Sequence, residues 1–133
     1  MRGFRIVVAS HGDLAAAFLA GAEMICGPID DSVAVGLLPD HSPERYAELL
    51  RAAVGSGACL ILTDLRGGTP ANVALLVARG RPNIVVVAGI NLGMVIEAAT
   101  SLSSLEDEAI DTLVSAGRDS IAHAGSRLVG TGF

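Results

Sequence analysis

Short runs of apolar residues alternate along this chain with segments whose apolar residues recur every three or four positions. The runs predict β-strands buried on both faces, and the recurring pattern predicts helices that cover them. We predict four strands, over residues 4–9, 32–38, 58–63 and 84–88. The late segment Arg127-Leu128-Val129 is a candidate for one more short strand at an edge of the sheet.

Glycine, proline and capping residues mark the helices between these runs. Gly27-Pro28 ends the first helix, because proline cannot continue a helix. Ser42 caps the second helix, and Thr69-Pro70 caps the third. The predicted helices cover residues 13–25, 43–53, 69–78, 92–99 and 105–124. The apolar stripe of the last one is predicted to comprise Ile110, Leu113, Val114, Gly117 and Ile121.

Strands that alternate with helices at these spacings predict βαβ units, and hence a parallel sheet with right-handed crossovers. We expect an α/β fold with an open sheet of about four strands in the order 2-1-3-4, flanked by helices, and a single domain over residues 1–133. In such sheets ligands bind beyond the carboxyl ends of the strands, where the winding reverses direction. That point lies between the first and third strands.

Two loops at this edge combine glycine with reactive side chains. Ser10-His11-Gly12-Asp13 follows the first strand, and the loop from Asp64 to Pro70 (DLRGGTP) follows the third. Neutral imidazole is well populated near neutral pH, so His11 is a competent nucleophile. The carboxylate of Asp64 is suited to holding one ring nitrogen as a protonated donor while the other nitrogen attacks.

The glycines of the second loop lead into a helix N-terminus, where free N–H groups and the helix dipole favour an anion. A transferring phosphoryl group needs mainly positioning and charge stabilisation. The sequence contains no Walker A loop, no GxGxxG fingerprint and no cluster of acidic metal ligands. We therefore expect no cofactor and no metal, and a phosphoryl donor that is itself a protein. The candidate phosphoryl-binding residues are Gly12, Arg66, Gly67, Gly68 and Thr69.

Each of these features also has a purely structural interpretation. A histidine at a strand end is commonly a structural hydrogen-bonding residue, a GGTP turn commonly only starts a helix, Asp64 can cap its loop, and Arg66 can be a solvated cation. No serine completes a hydrolase triad, because Ser10 and its neighbour His11 point apart on leaving a strand. We interpret His41 and His123 as surface residues.

Charge and hydropathy exclude several classes of function. A formal net charge of -5 argues against binding nucleic acid or an anionic membrane surface. The uncharged stretch over residues 82–96 is too short to span a bilayer, which takes about 20 residues. His11-Gly12-Asp13 interrupts any signal peptide. We expect a cytoplasmic protein with no membrane insertion, in which Cys26 and Cys59 are buried thiols without zinc-ligand spacing.

Three blocks of the sequence resemble the mannose-type IIA family of the phosphoenolpyruvate-dependent sugar phosphotransferase system (PTS). They are IVVASHGDLAAAFLAGAEMICG, LTDLRGGTPANVALL and VVAGINLGMVIEAA, and the resemblance covers nearly the whole chain. It implies that Nε2 of His11 takes a phosphoryl group from the carrier protein HPr and passes it to a IIB component. It also implies that Asp64 holds Nδ1, that Thr69 fills a small hydroxyl position, and that the protein is a homodimer able to exchange C-terminal strands through Leu128-Val129.

The chain departs from the family pattern at three places near the mouth of the site. Arg66 stands where the family usually has an apolar or aromatic residue, and Ala71 where it often has an aromatic one. The usual N-[LIV]-P-M element appears as Asn91-Leu92-Gly93-Met94. We hypothesise that Arg66 adds a cation near the phosphoryl oxygens or contacts an acidic surface of a partner.

Three other functions stay open at this point. One is the phosphocarrier subunit of a dihydroxyacetone kinase system, which has a similar fold and histidine but a different acceptor. Another is a regulatory protein that is phosphorylated on His11 and signals through binding. The third is a small-molecule binding domain without transfer chemistry. The transported sugar is not encoded in this chain, because specificity belongs to the membrane partner.

Overall fold

The computed structural model describes residues 2–125, and within this part the chain forms four strands and five helices. The strands are β1 (Arg5–His11), β2 (Ser32–Leu37), β3 (Cys59–Thr63) and β4 (Ile84–Ala88). The helices are α1 (Leu14–Cys26), α2 (Pro43–Val54), α3 (Thr69–Ala78), α4 (Leu92–Thr100) and α5 (Asp107–Asp119). The predicted strand 127–129 lies outside the described residues.

The four strands form one parallel sheet in the order β2-β1-β3-β4. This confirms the predicted α/β class and strand order. The first strand is longer than predicted and includes His11, because the ladder continues beyond Ala9: His11 pairs with Leu37, and the N–H of Gly12 donates to the Leu37 carbonyl at 2.8 Å. The backbone of His11 is therefore held by the sheet itself.

Helices cover both faces of the sheet, as the apolar strands require. Helices α1, α4 and α5 pack on one face with Ile6 and Val8, and helices α2 and α3 pack on the other with Val7 and Ala9. Side chains alternate along a strand. His11, two residues beyond Ala9, consequently leaves the sheet on the α2–α3 face.

Helix α5 is shorter than the predicted 105–124, and the carbonyl of Gly117 has other donors at the point where it ends. Nδ2 of Asn91 and the hydroxyl of Ser120 each donate to this carbonyl at 2.8 Å, the group to which the N–H of Ile121 would donate in a continuing helix. The Ile121 N–H instead donates to the Arg118 carbonyl at 3.2 Å. Ile121 is 73% exposed, so its predicted place in the apolar stripe is wrong, whereas Leu113 and Gly117 are buried as expected.

The two cysteines differ in their surroundings. Cys59 is fully buried, and burial raises the pKa of its thiol to about 11, so the thiol is protonated at neutral pH. Cys26 is only partly buried, which the sequence did not predict. Across residues 2–125 no helix is both long and apolar enough to cross a membrane.

Candidate functional site

His11 and Asp64 form a hydrogen-bonded pair at the carboxyl edge of the sheet. Nδ1 of His11 lies 2.9 Å from Oδ2 of Asp64, and the backbone N–H of His11 donates to the same oxygen at 3.0 Å. Because a carboxylate oxygen only accepts, Nδ1 carries the ring proton and Nε2 is left with its lone pair. The imidazole is 45% exposed, whereas the Asp64 side chain is 9% exposed. An imidazole with an unprotonated Nε2 is thus partly exposed at the surface, and the carboxylate that it contacts is mostly buried.

The end of β3 directs Asp64 toward β1. Thr63, which pairs with Ala9, is fully buried and donates its hydroxyl to the Val87 carbonyl at 3.2 Å. Its own carbonyl accepts from the N–H groups of Gly89 and Ile90. These bonds fix the last residue of the strand, so the next side chain reaches His11 from a rigid element.

The second carboxylate oxygen of Asp64 has no hydrogen-bond partner among the described residues. This oxygen, Oδ1, is buried. An unpaired buried carboxylate oxygen costs stability, and such groups are uncommon outside functional sites. The hydrogen bonds to the Asp64 carboxylate therefore come from His11, and both are made to Oδ2.

Gly68 forms the surface against which the imidazole rests. A Cβ atom at this position would lie 2.8 Å from Cε1 and 3.5 Å from Nε2 of His11, so any larger residue would displace the ring. Gly68 is also the N-cap residue of α3. Nε2 of His11 consequently lies beside a helix N-terminus, where the dipole favours an anion.

The start of α3 differs in one respect from the prediction. Thr69 was expected to cap the helix, but it is the first helical residue, and the Gly68 N-cap makes no side-chain capping bond. Pro70 has no N–H, so Thr69 and Ala71 supply the N–H groups that the first turn leaves unbonded within the helix. Because the Thr69 hydroxyl is not used for capping, it remains available to a ligand.

The other candidate residues lie in the same two loops. Gly12 and Gly67 have φ angles of 52° and 81°, a left-handed conformation that favours glycine. The carbonyl of Gly67 accepts from Nδ2 of Asn72 at 3.2 Å. Arg66 is exposed and forms no ion pair within residues 2–125. The structure therefore brings His11, Asp64 and Gly68 into contact and leaves the Arg66 side chain extended from the loop.

Ser10 has a role that the sequence did not reveal. Its side chain is fully buried, and its Oγ accepts from the N–H of Ala15 at 2.6 Å. It thus takes the capping position that the side chain of Asp13 leaves unused at α1. This bond agrees with the prediction that Ser10 points away from His11. The capping role was missed because Ser10 lies further before the start of α1 than an N-cap residue does.

Three exposed leucines surround the site. Leu14, Leu38 and Leu65 are 50%, 42% and 57% exposed, and they follow β1, β2 and β3 at the carboxyl edge. A cavity of about 460 Å³ lies elsewhere and is lined by Arg2 and by residues from 26–31 and 99–103, without His11. The partly exposed imidazole of His11 is therefore accompanied at this edge of the sheet by exposed apolar side chains.

The remaining histidines are placed differently. His41 precedes α2, where its Nδ1 accepts from the N–H of Leu38 at 2.9 Å, and it is only partly exposed. His123 follows α5 and is exposed. No group of three or more His, Cys, Asp or Glu residues in the described part of the chain is arranged to hold a metal ion.

Comparison with known proteins assigns this fold and sequence to a class. The model of the EIIA-man family, described as PTS system fructose IIA component, matches residues 5–115. The mannose/sorbose specific IIA subunit from Enterococcus faecalis is similar, with a TM-score of 0.84 and 34% identity over 92% of this chain and 94% of that one. The phosphotransferase system component EIIA from Streptococcus agalactiae gives a TM-score of 0.85 and 27% identity over 92% and 98%.

A longer relative matches over part of its length. The PTS system mannose-specific EIIAB component of Escherichia coli K12 is 29% identical over 113 residues, which are 82% of this chain and 34% of that protein. This chain therefore spans about a third of that relative. Together the matches define a class of protein, the EIIA components of phosphotransferase systems. The chain belongs to the mannose-type EIIA family, as the three sequence blocks indicated.

Proposed function

We propose that this chain is a cytoplasmic phosphocarrier in which Nε2 of His11 accepts a phosphoryl group from phospho-HPr and passes it to a IIB component for sugar uptake. The observation that carries this proposal is the hydrogen bond of 2.9 Å between Nδ1 of His11 and Asp64. It reserves one ring nitrogen as a donor and leaves the other as the nucleophile.

The transfer consists of one exchange of bonds at phosphorus. The lone pair of Nε2 forms the new N–P bond while the bond from phosphorus to the donor breaks, and the donor keeps that electron pair. The ring acquires positive charge, which Asp64 offsets through the proton that stays on Nδ1. In the onward transfer the electron pair returns to Nε2 as the acceptor attacks phosphorus.

The two loops supply the stabilisation that the phosphoryl oxygens require. The N-terminus of α3, with Gly67, Gly68 and Thr69, offers N–H groups, a hydroxyl and the positive end of the helix dipole. Gly12, with a φ of 52°, lets the chain turn directly after His11. Arg66 is the cation that can approach the oxygens from solvent.

A protein donor suits the shape of the site. His11 is 45% exposed, and exposed leucines on neighbouring loops provide apolar area for docking. Protein surfaces that bind partners have apolar centres, with charged residues at the periphery. HPr and the IIB component are the proposed partners, and a homodimer is the proposed assembly, as in the family resemblance.

Intact-protein mass tests the proposal directly. The protein is incubated with phosphoenolpyruvate, enzyme I and HPr, as the wild type and as the variants His11→Ala, His41→Ala and His123→Ala. We expect the wild type and the two control variants to gain one acid-labile phosphoryl group, and His11→Ala to gain none. No gain by the wild type, with HPr shown to be phosphorylated, would reject the carrier function.

The acceptor is tested with the phosphorylated protein. Purified IIB components and a dihydroxyacetone kinase are offered separately, and loss of the phosphoryl group from His11 is followed by mass. Transfer to a IIB component is expected. Transfer only to the kinase would assign the chain to the dihydroxyacetone system, and transfer to neither would favour a regulatory role.

A further inference from the structure

Tyr46 is a buried phenol whose hydroxyl is bonded to the sheet beside the site. Its side chain is 0% exposed, and its hydroxyl donates to the carbonyl of Val35 at 2.7 Å. The carbonyl of Asp31, which precedes β2, accepts from the N–H of Ile6 in β1, and the carbonyl of Leu37 accepts from the N–H of Gly12, which follows β1. Because carbonyls alternate in direction along a strand, the Val35 carbonyl also faces β1. The Tyr46 hydroxyl therefore lies over the seam between β1 and β2.

This hydroxyl lies at the Ala9–Val35 pair, two residues before His11 along β1 and on the same face of the sheet. Val35 pairs with Ala9, and Leu37 pairs with His11. Ala9 and Tyr46 belong to one packed cluster on the α2–α3 face, the face on which the imidazole leaves the strand. The small side chain of Ala9 leaves room there for an aromatic ring.

The charge of Asp64 acts on Tyr46. The pKa of the Tyr46 hydroxyl is raised, first by burial and second by the negative charge of Asp64, while the backbone of Ser10 acts in the opposite direction. The phenol thus stays a neutral hydrogen-bond donor at every physiological pH. It lies in the protein interior, within range of the negative charge of Asp64.

We propose that Tyr46 is a positioning residue for His11, in that its hydroxyl fixes the β1–β2 seam beneath the imidazole. This inference rests on the proposed phosphocarrier function. Its consequence is that the imidazole of His11 is held in one orientation before the phosphoryl donor binds. Preorganisation of this kind raises the rate of the chemical step.

The first test compares Tyr46→Phe with Ser32→Ala, a control at the opposite end of β2. Ser32 also donates a hydroxyl to a carbonyl, that of Ile29 at 2.7 Å. Because Tyr46 is buried and cannot touch HPr, we expect Tyr46→Phe to lower kcat for phosphorylation about three- to tenfold with KM unchanged. The ¹⁵N chemical shifts of the His11 ring should also move toward a mixture of tautomers. Ser32→Ala should change neither quantity.

The second test uses the fact that Tyr46 is the only tyrosine in the sequence. Biosynthetic 3-fluorotyrosine places one ¹⁹F probe at this position and keeps the hydroxyl. We expect the ¹⁹F signal to shift in Asp64→Asn and again when His11 is phosphorylated. The first shift does not require phosphorylation, so it tests the coupling even if the carrier function fails.

Two results would overturn the inference. One is a Tyr46→Phe protein that loses thermal stability as Ser32→Ala does, with kcat, KM and the His11 ring shifts unchanged. The other is a ¹⁹F signal that is the same in the wild type and in Asp64→Asn. Either result would leave Tyr46 with a structural role only.

Discussion

A Cβ atom on Gly68 would lie 2.8 Å from Cε1 of His11. The imidazole therefore rests directly on the backbone at the start of α3, and the two glycine-containing loops form a single site. The orientation of the ring is limited on one side by Asp64, at 2.9 Å from Nδ1, and on another by Gly68. Each of these contacts fixes where Nε2 points.

Gly68→Ala is expected to slow phosphorylation of His11 while preserving the fold. The backbone of Gly68 has φ -75° and ψ 166°, which any residue adopts, so the added methyl group acts through its contact with the ring. Displacing a reacting group by about 1 Å can lower a rate about a hundredfold, and we expect a loss of about ten- to a hundredfold in the rate measured by intact mass.

Gly57→Ala is the matched control for this substitution. A Cβ atom on Gly57 would have no neighbour within 4 Å, so its rate and melting temperature should stay at the wild-type values. A Gly68→Ala protein that melts like the wild type and is phosphorylated at the wild-type rate would show that the ring does not depend on this contact.

The sheet and the position of the site were predictable because they depend on local pattern. Apolar runs such as residues 84–88 identify strands whatever their neighbours are, and βαβ connections then restrict the strand order. The switch point of that order predicts that His11 and Asp64 lie together at the carboxyl edge of the sheet. The strands and their order could be predicted because they follow from the periodicity of apolar residues.

Features that depend on contacts between distant residues were not predictable from one sequence. At the end of α5, Asn91 donates to the Gly117 carbonyl, a bond that joins two helices. A Cβ atom on Gly93 would lie 2.8 Å from Cβ of Ser120, so the glycine at a position where the family pattern has proline lets the end of α5 approach. The contact of Gly68 with His11 has the same long-range origin.

Asp64→Asn is expected to separate stability from function. The amide keeps an oxygen that can accept from the His11 backbone N–H and ring, but it removes a buried charge with one unpaired oxygen. We expect the free energy of unfolding to stay within about 1 kcal/mol of the wild type, since losing a poorly compensated buried charge offsets a weaker hydrogen bond. The phosphorylation rate should fall about a hundredfold or more, because the ring loses its stabilising anion.

Chemical denaturation and intact mass measure these two quantities on the same preparation. A large loss of stability in Asp64→Asn would contradict the first expectation and assign a structural role to the hydrogen bonds between Asp64 and His11. An unchanged rate would contradict the second. Asp13→Asn, in the loop after β1 and without a side-chain capping bond, is the control for loss of one acidic group near the site.

Arg66→Ala is expected to lower the phosphorylation rate about three- to tenfold, since an exposed cation stabilises a phosphoryl group only modestly. Arg66→Lys should keep most of the rate because it keeps the charge. The difference between Arg66→Ala and the wild type should shrink at 1 M salt, where the screening length is about 3 Å. Arg79→Ala, an exposed arginine at the other end of α3, should have no effect. Equal rates for Arg66→Phe and the wild type would refute the proposed role of this cation.

Leu65 and Leu75 offer a matched pair for testing the docking surface. They are 57% and 60% exposed, but Leu65 lies in the loop beside His11 and Leu75 lies within α3. Leu65→Ser is expected to raise KM for HPr about fivefold with kcat unchanged, because a contact residue at the centre of an interface contributes roughly 1 kcal/mol or more. Leu75→Ser should leave kcat and KM unchanged, because Leu75 lies away from the proposed interface and its exposed side chain contacts mainly solvent.

Steady-state phosphorylation at varied HPr concentration measures both constants. If KM for HPr is unchanged in both variants, the exposed leucines around His11 are not the surface on which the donor docks; if both variants raise KM equally, the docking surface extends along α3.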